Sequence, residues 1–184
     1  ISTDRYKMLV GDGAQVLMER MLKETGVNVG SIDIASFRKE YDRRYEREPM
    51  KFVTSYPGLP TLLTQLNAAG VKLGVLSNKP DNMVKYIANA LYPNLLNVVY
   101  GQREGIPKKP HPDALLSMAD ELSLLPRNIL YIGDSGVDID TGHNAGMDTC
   151  GVLWGFRNEE ELKSHGAKFL VKDWMGLKEI IEKQ

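Results

Sequence analysis

Two aspartates, Asp134 and Asp138, follow an apolar run in Asn128-Ile129-Leu130-Tyr131-Ile132-Gly133-Asp134-Ser135-Gly136-Val137-Asp138. The run is rich in β-formers and stops abruptly at Gly-Asp-Ser-Gly. That is the pattern of a buried parallel strand delivering acids to its carboxyl end, where open α/β sheets place their chemistry. Two carboxylates converging there suit a hard cation such as Mg2+, which takes oxygen ligands and keeps several waters. The local alternative is a strand followed by an Asp/Ser/Gly helix cap. Two further segments carry reactive groups. In Leu76-Ser77-Asn78-Lys79-Pro80, Ser77 offers a hydroxyl beside a helix expected to begin at Pro80. Proline at the first helical position leaves the neighbouring amides free to face an anion, and the helix dipole favours negative charge there. An ordinary Ser/Asn cap is the alternative. In Lys108-Lys109-Pro110-His111-Pro112-Asp113, Lys109 precedes a proline and has a restricted backbone. It can hold one point charge at a fixed place, against the alternative of a solvated basic loop. A hydroxyl, a lysine and two acids, each following or flanking a strand, make a coherent phosphate-plus-metal site.

The elements that must position these groups fall into two textures. Residues 1 to about 55 are helical in pattern. A short helix capped by Thr3 and Asp4 runs to Val10. A second presents Val16, Leu17, Met21 and Leu22 at helical spacing, and Asp33 to Glu48 forms a third with Phe37, Tyr41 and Tyr45 on one stripe. That stripe reads as packing rather than a cofactor box. Gly11-Asp12-Gly13 follows no strand and is not a phosphate-binding loop. From residue 56 onward helices alternate with apolar strands at Val71–Leu76, Val98–Tyr100, Asn128–Ile132, Asp148–Leu153 and Lys168–Val171. Such alternation implies βαβ units and a parallel sheet. The expected fold class is therefore α/β, with a helical domain over 1–55 and a core over 56–184.

Bulk properties narrow the function classes. The chain has 184 residues, 42% hydrophobic and 26% charged, with a net charge of −1. Nothing in that balance suggests nucleic acid or an anionic membrane as a partner. The single cysteine, Cys150, lies in an apolar run, so no disulfide framework exists and a reducing cytoplasm is the expected compartment. No apolar run approaches a membrane span, and no signal peptide is visible.

Together, in this order and spacing, these residues resemble the haloacid dehalogenase superfamily of phosphotransferases, and within it the bacterial phosphoglycolate phosphatases. The resemblance runs from Tyr6-Lys7-Met8-Leu9-Val10-Gly11-Asp12-Gly13 to Gly155-Phe156-Arg157. It passes through Val75-Leu76-Ser77-Asn78-Lys79-Pro80-Asp81, Gly101-Gln102-Arg103-Glu104-Gly105, Lys109-Pro110-His111-Pro112 and Gly133-Asp134-Ser135-Gly136-Val137-Asp138. It implies a doubly wound, Rossmann-like parallel sheet with a small all-helical cap domain that closes over the site and reads the substrate. Val10 to Ala14 would be a cap loop facing that site. By the resemblance Ser77 is the phosphate-binding hydroxyl, Asn78 adds hydrogen bonds, and Lys109 neutralises nucleophile and phosphate. Asp134 is the direct Mg2+ ligand, and Asp138 is the second acid, acting directly or through water. Arg103 is expected in a structural salt bridge rather than on a substrate carboxylate.

One departure matters. The family's nucleophile lies in an Asp-x-Asp-Gly motif at the end of the first strand, and no such motif precedes the cap here. Asp138-Ile139-Asp140-Thr141 falls inside a helix instead. In a sheet ordered 3-2-1-4-5 the first strand is central. Its absence would leave Val71–Leu76 and Asn128–Ile132 two interstrand spacings apart, each exposing backbone groups at about 1–3 kcal/mol apiece. The expectation is therefore a strand and helix upstream of Ile1, or another segment filling the gap. The chain from Ile1 to Gln184 by itself should not turn over phosphate esters by this mechanism. The expected whole is a Mg2+-dependent phosphomonoester hydrolase acting through an aspartyl-phosphate on a small phosphorylated metabolite, as a monomer or homodimer. The alternatives are a β-phosphoglucomutase-like phosphotransferase, a non-catalytic binding module that keeps the two sites, and, less suited to paired acids, a dehalogenase.

Overall fold

A computed structural model describes residues 1–183, and the chain divides into two compact units, Ile1–Val53 and Thr54–Gln184. The first unit is helical. α1 (Thr3–Leu9) is capped by Ser2, whose hydroxyl accepts from the Arg5 amide at 3.3 Å, one residue before the expected cap. α2 (Ala14–Glu24) buries Leu17 and Met18, not the full Val16/Met21/Leu22 face. Arg20 ties α2 back to the preceding turn, donating to the Leu9 carbonyl at 3.1 Å and pairing with Asp12 at 2.6 Å. α3 (Ile34–Arg47) is capped by Asp33, which accepts from the Ser36 amide. Along its stripe Tyr41 and Tyr45 stack at 6.1 Å between centroids, while Phe37 remains 45% exposed. Tertiary neighbours, not the stripe itself, decide which rings are covered.

The second unit alternates strictly. α4 (Leu59–Ala68) starts after Gly58, whose φ of +76° is open only to glycine at low cost; a Cβ there would also meet the Trp174 ring at 2.2 Å. β1 (Gly74–Pro80), α5 (Asp81–Leu91), β2 (Val98–Gln102), α6 (Asp113–Glu121), β3 (Leu130–Gly133), α7 (Gly136–Asn144), β4 (Asp148–Val152), α8 (Glu159–Ser164), β5 (Phe169–Val171) and α9 (Trp174–Glu182) follow. β1 and β2 are parallel, in register from Gly74↔Val98 to Leu76↔Tyr100, then shifted to Pro80↔Gln102. β3, β4 and β5 are parallel, with Ile132↔Cys150 and Cys150↔Phe169. Cys150, Thr149 and Ile139 are wholly buried, and Leu62, Leu66, Val152, Val171 and Leu177 close the core on this side.

The sheet is in two pieces, β1-β2 and β3-β4-β5. β1 and β3 each end their piece, and both line one cavity of about 800 Å³. Among the described residues this α/β arrangement pairs no strand with the second edge of β1 or of β3. The expectation that another segment of the chain would fill the gap is not met among the described residues. The observed strand limits also differ. β1 starts three residues later than Val71 and continues through Ser77–Pro80, because pairing with Gln102 holds the chain extended past the proline.

Candidate active site

The charged groups gather where β1 and β3 end. Lys109 Nζ donates to Asp138 Oδ1 at 2.6 Å, with the two side chains only 12% and 9% exposed. Asn78, near the end of β1, grips the backbone of the same lysine at both groups. Its Oδ1 accepts from the Lys109 amide at 3.0 Å, and its Nδ2 donates to the Lys109 carbonyl at 3.3 Å. The lysine is thus a solidly held point charge, not a solvated loop residue.

Asp138 is occupied on both oxygens. Its Oδ2 accepts from the Ser135 hydroxyl at 2.6 Å and from the Asp134 and Ser135 amides at 3.2 Å each. Ser135 reciprocates as the N-cap of α7, so the local cap and the charged site coexist in the same residues. Asp134 sits at the strand end with Oδ2 accepting from the Phe156 amide at 3.0 Å. Both acids are packed against bare backbone. A Cβ on Gly133 would lie 2.1 Å from the Asp138 Cβ, and one on Gly155 2.2 Å from the Asp134 Cβ.

The protonation states differ accordingly. Burial alone would raise Asp138, but the Lys109 ammonium and the Ser135 hydroxyl outweigh it and hold the carboxyl below its ordinary value. Burial opposes the charge on Lys109, yet the Asp138 carboxylate paired with it helps hold the lysine above its ordinary value. Asp134 is raised, by burial first and then by the neighbouring Asp138 charge. Tyr131, buried beside Lys109 and Asp138, is pushed up to about 12 and stays a neutral phenol.

Asp134 is therefore a carboxylate with an unfavourable surrounding, and a cation beside it would relieve that. Mg2+ binds through one or two carboxylates plus waters and substrate oxygens, so a single open acid backed by a second is a fitting donor set. No group of three or more acidic, histidine or cysteine side chains that could hold a metal exists among the described residues.

Ser77 is held locally: its hydroxyl accepts from the Lys79 amide at 3.2 Å. Pro80 does not open the helix as expected. It keeps an extended φ/ψ of −50°/138° and caps α5, which begins at Asp81. Asp81 occupies that first turn and accepts from the Gly101 amide at 2.8 Å and from Lys85 at 2.7 Å. The helix start thus already carries its own negative charge. Among the described residues Arg103 makes no ion pair within 4 Å, although against burial its charge joins that of Lys85 in holding Asp81 below its ordinary value; its guanidinium lies 3.7 Å from the centroid of the Tyr100 ring, whose hydroxyl donates to Glu121. Sequence reasoning does not mark Gly155, Phe156 or Tyr131 as site residues. The first two reach Asp134 from 21 and 22 positions away, and no local pattern announces that.

The chain matches the family model described as haloacid dehalogenase-like hydrolase over residues 1–152. It belongs to that family. This haloacid dehalogenase-like chain is 32% identical over 177 residues to the phosphoglycolate phosphatase of Escherichia coli (strain K12), covering 86% of this chain and 70% of the relative. Among solved structures, a predicted phosphoglycolate phosphatase from Haemophilus somnus 129PT superposes with a TM-score of 0.88 at 25% identity, over 98% of this chain and 83% of that one. A β-phosphoglucomutase from Clostridium difficile shares the fold, with a TM-score of 0.75 at 24% identity, over 100% of this chain and 81% of that one. No helix among the described residues is long and apolar enough to cross a membrane.

Proposed function

We propose that this chain carries the charge-handling half of a Mg2+-dependent phosphomonoester hydrolase of phosphoglycolate-phosphatase type, acting on a small phosphorylated metabolite in the cytoplasm. The buried Lys109–Asp138 pair beside the raised Asp134 supports the reading best. Such an arrangement places one fixed cation and one cation-seeking carboxylate at the same strand ends, as phosphoryl transfer requires.

In this reading Asp134 holds the metal, which supplies charge neutralisation on the phosphoryl oxygens when bound. Asp138 is spent on aligning Lys109 and the loop from Asp134 to Ser135. Lys109 offsets negative charge on the phosphate and on an attacking carboxylate. Ser77 donates its hydroxyl to a phosphate oxygen, while Asn78 acts through the lysine backbone it grips. The nucleophile is a carboxylate on a strand upstream of Ile1. It attacks phosphorus as the bond to the leaving oxygen breaks; the second aspartate of the same motif gives that oxygen its proton and later takes one from the water that releases phosphate from the aspartyl ester. Residues Ile1–Val53 serve as the helical cap domain.

The test uses a chain carrying the nucleophile strand and a panel of small phosphate esters, with phosphate release as readout. Asp134→Asn should abolish Mg2+-dependent turnover while leaving the melting temperature nearly unchanged. Undiminished turnover in that variant would overturn the metal role, and transfer of phosphate between sugars without release would replace hydrolysis with mutase chemistry.

A further inference from the structure

Asp134 is held from one side by a loop that leaves the sheet just beyond β4. The Leu153 amide still donates to the Val171 carbonyl at 3.0 Å, and the chain then turns through residues 153–157. In the middle of this turn the Phe156 amide donates to Asp134 Oδ2 at 3.0 Å, and the bare backbone of Gly155 lies against the same side chain. The far end of the turn is fixed by charge. Arg157 pairs with Glu161 at 3.3 Å, and Glu161 also accepts from the Gly136 amide at 3.1 Å. The near end is Trp154, and its support is aromatic.

Trp154 packs against the core around Leu62, Cys150 and Val152. Its indole also meets the Tyr56 ring edge to face, with centroids 6.4 Å apart and planes at 67°. Rings in that arrangement attract one another beyond the area they bury. Tyr56 is itself 44% exposed, so it is not a side chain that the core needs in order to close. It is the third residue of the second unit, in a segment tied down on both sides of it. The Ser55 and Tyr92 hydroxyls are hydrogen-bonded at 2.8 Å, and the Leu59 amide donates to the Tyr56 carbonyl at 3.2 Å. The phenol also feels the acid: burial first, and the Asp134 charge next, hold it above its ordinary value. One ring thus spans from a fixed segment to the loop that grips Asp134.

We propose that Tyr56 is a positioning residue for Asp134. Its ring sets Trp154, Trp154 sets the turn at Gly155 and Phe156, and the Phe156 amide sets how the carboxylate is turned. The proposal rests on the phosphatase reading above only where the metal enters. Mg2+ demands near-ideal octahedral geometry, so an acid left free to swing binds it less well. Because the contact is between rings, phenylalanine should serve in place of tyrosine.

The test reads amide hydrogen exchange by NMR, on the same chain as in the experiment above and without metal. In Tyr56→Ala the Phe156 amide should exchange about threefold faster or more, the size of one aromatic pair, while the amides of β4 keep their rates. Tyr56→Phe should restore the Phe156 rate. Titrated with Mg2+ alone in a calorimeter, Tyr56→Ala should bind about threefold more weakly or worse. Half-maximal phosphate release should need correspondingly more Mg2+, with kcat at saturating metal within about twofold of the parent. An unchanged Phe156 rate, or unchanged Mg2+ affinity in a chain that binds the metal, overturns the proposal. Equal acceleration across β4 also overturns it, by making the ring a general support of the fold, as does a Tyr56→Phe chain that behaves like Tyr56→Ala. If Tyr56→Ala does not fold, Tyr56→Leu, which keeps apolar cover without a ring, is read in the same way. A parent chain that binds no Mg2+ but shows the exchange difference ends the metal role of Asp134 and leaves the positioning role standing.

Discussion

The two pieces of the sheet are built from equally apolar sequence, yet they finish differently. β4 has a strand on each side, and its Thr149, Cys150, Gly151 and Val152 are all buried. β1 and β3 have one neighbour each, and neither contains a fully buried residue; Ile132, in the middle of β3, is 38% exposed. β2 and β5 also have one neighbour each, yet Val98 and Val171 in them are buried, so burial in a parallel sheet depends on what covers each edge and face, not on the run of residues alone.

The largest effect should come at the junction between the pieces. Asp138→Ala leaves Lys109 buried without its partner, and chemical denaturation should report a loss of about 3–5 kcal/mol. A loss below about 1 kcal/mol would mean the pair is solvated and the two pieces are not joined there.

On the finished side, Leu162 is fully buried against Gly151. Leu162→Ala should cost about 2–5 kcal/mol in the same assay. Cys150 sharpens the point through pH. Burial pushes its thiol up to about 11 from an ordinary 9.0. The stability this represents is fully present below pH 9 and is lost as pH rises toward 11, because only the unfolded thiol ionises in that window. Unfolding midpoints should thus fall by the equivalent of about 2–3 kcal/mol across those pH values, beyond the change in Cys150→Ala. A thiol reagent at pH 8 should label the native protein far more slowly than the unfolded chain.

The smallest effect belongs to the open edge. Ile132→Ala should cost under about 1 kcal/mol, since the side chain has little packing to lose. A cost matching Leu162→Ala would erase the contrast between the two sides.

Much of this was legible in sequence. The apolar runs named all five strands, and the spacing of Asp134 and Asp138 put both acids at one strand end. Lys109 stood out because proline follows it. What was not legible depends on distant chain. The Asn78 side chain finds Lys109 across 31 positions, and the Phe156 amide finds Asp134 across 22. Neither has a periodic or capping signature. Pro80 looked like a helix start because proline often is one; pairing with Gln102 kept it in the strand instead. On α2 the spacing of apolar residues defined a face, but packing buried only Leu17 from it and added Met18, which that face did not include.

The two-handed grip of Asn78 on the Lys109 backbone has a mechanical meaning. In an unbroken sheet, neighbouring strands are indexed to one another by their ladder of amide bonds. Here one carboxamide and one ammonium act as a splint across the break, setting how far the end of β1 can slide past the loop after β3. The carboxamide and the ammonium thereby keep the charged groups at the ends of β1 and β3 in alignment.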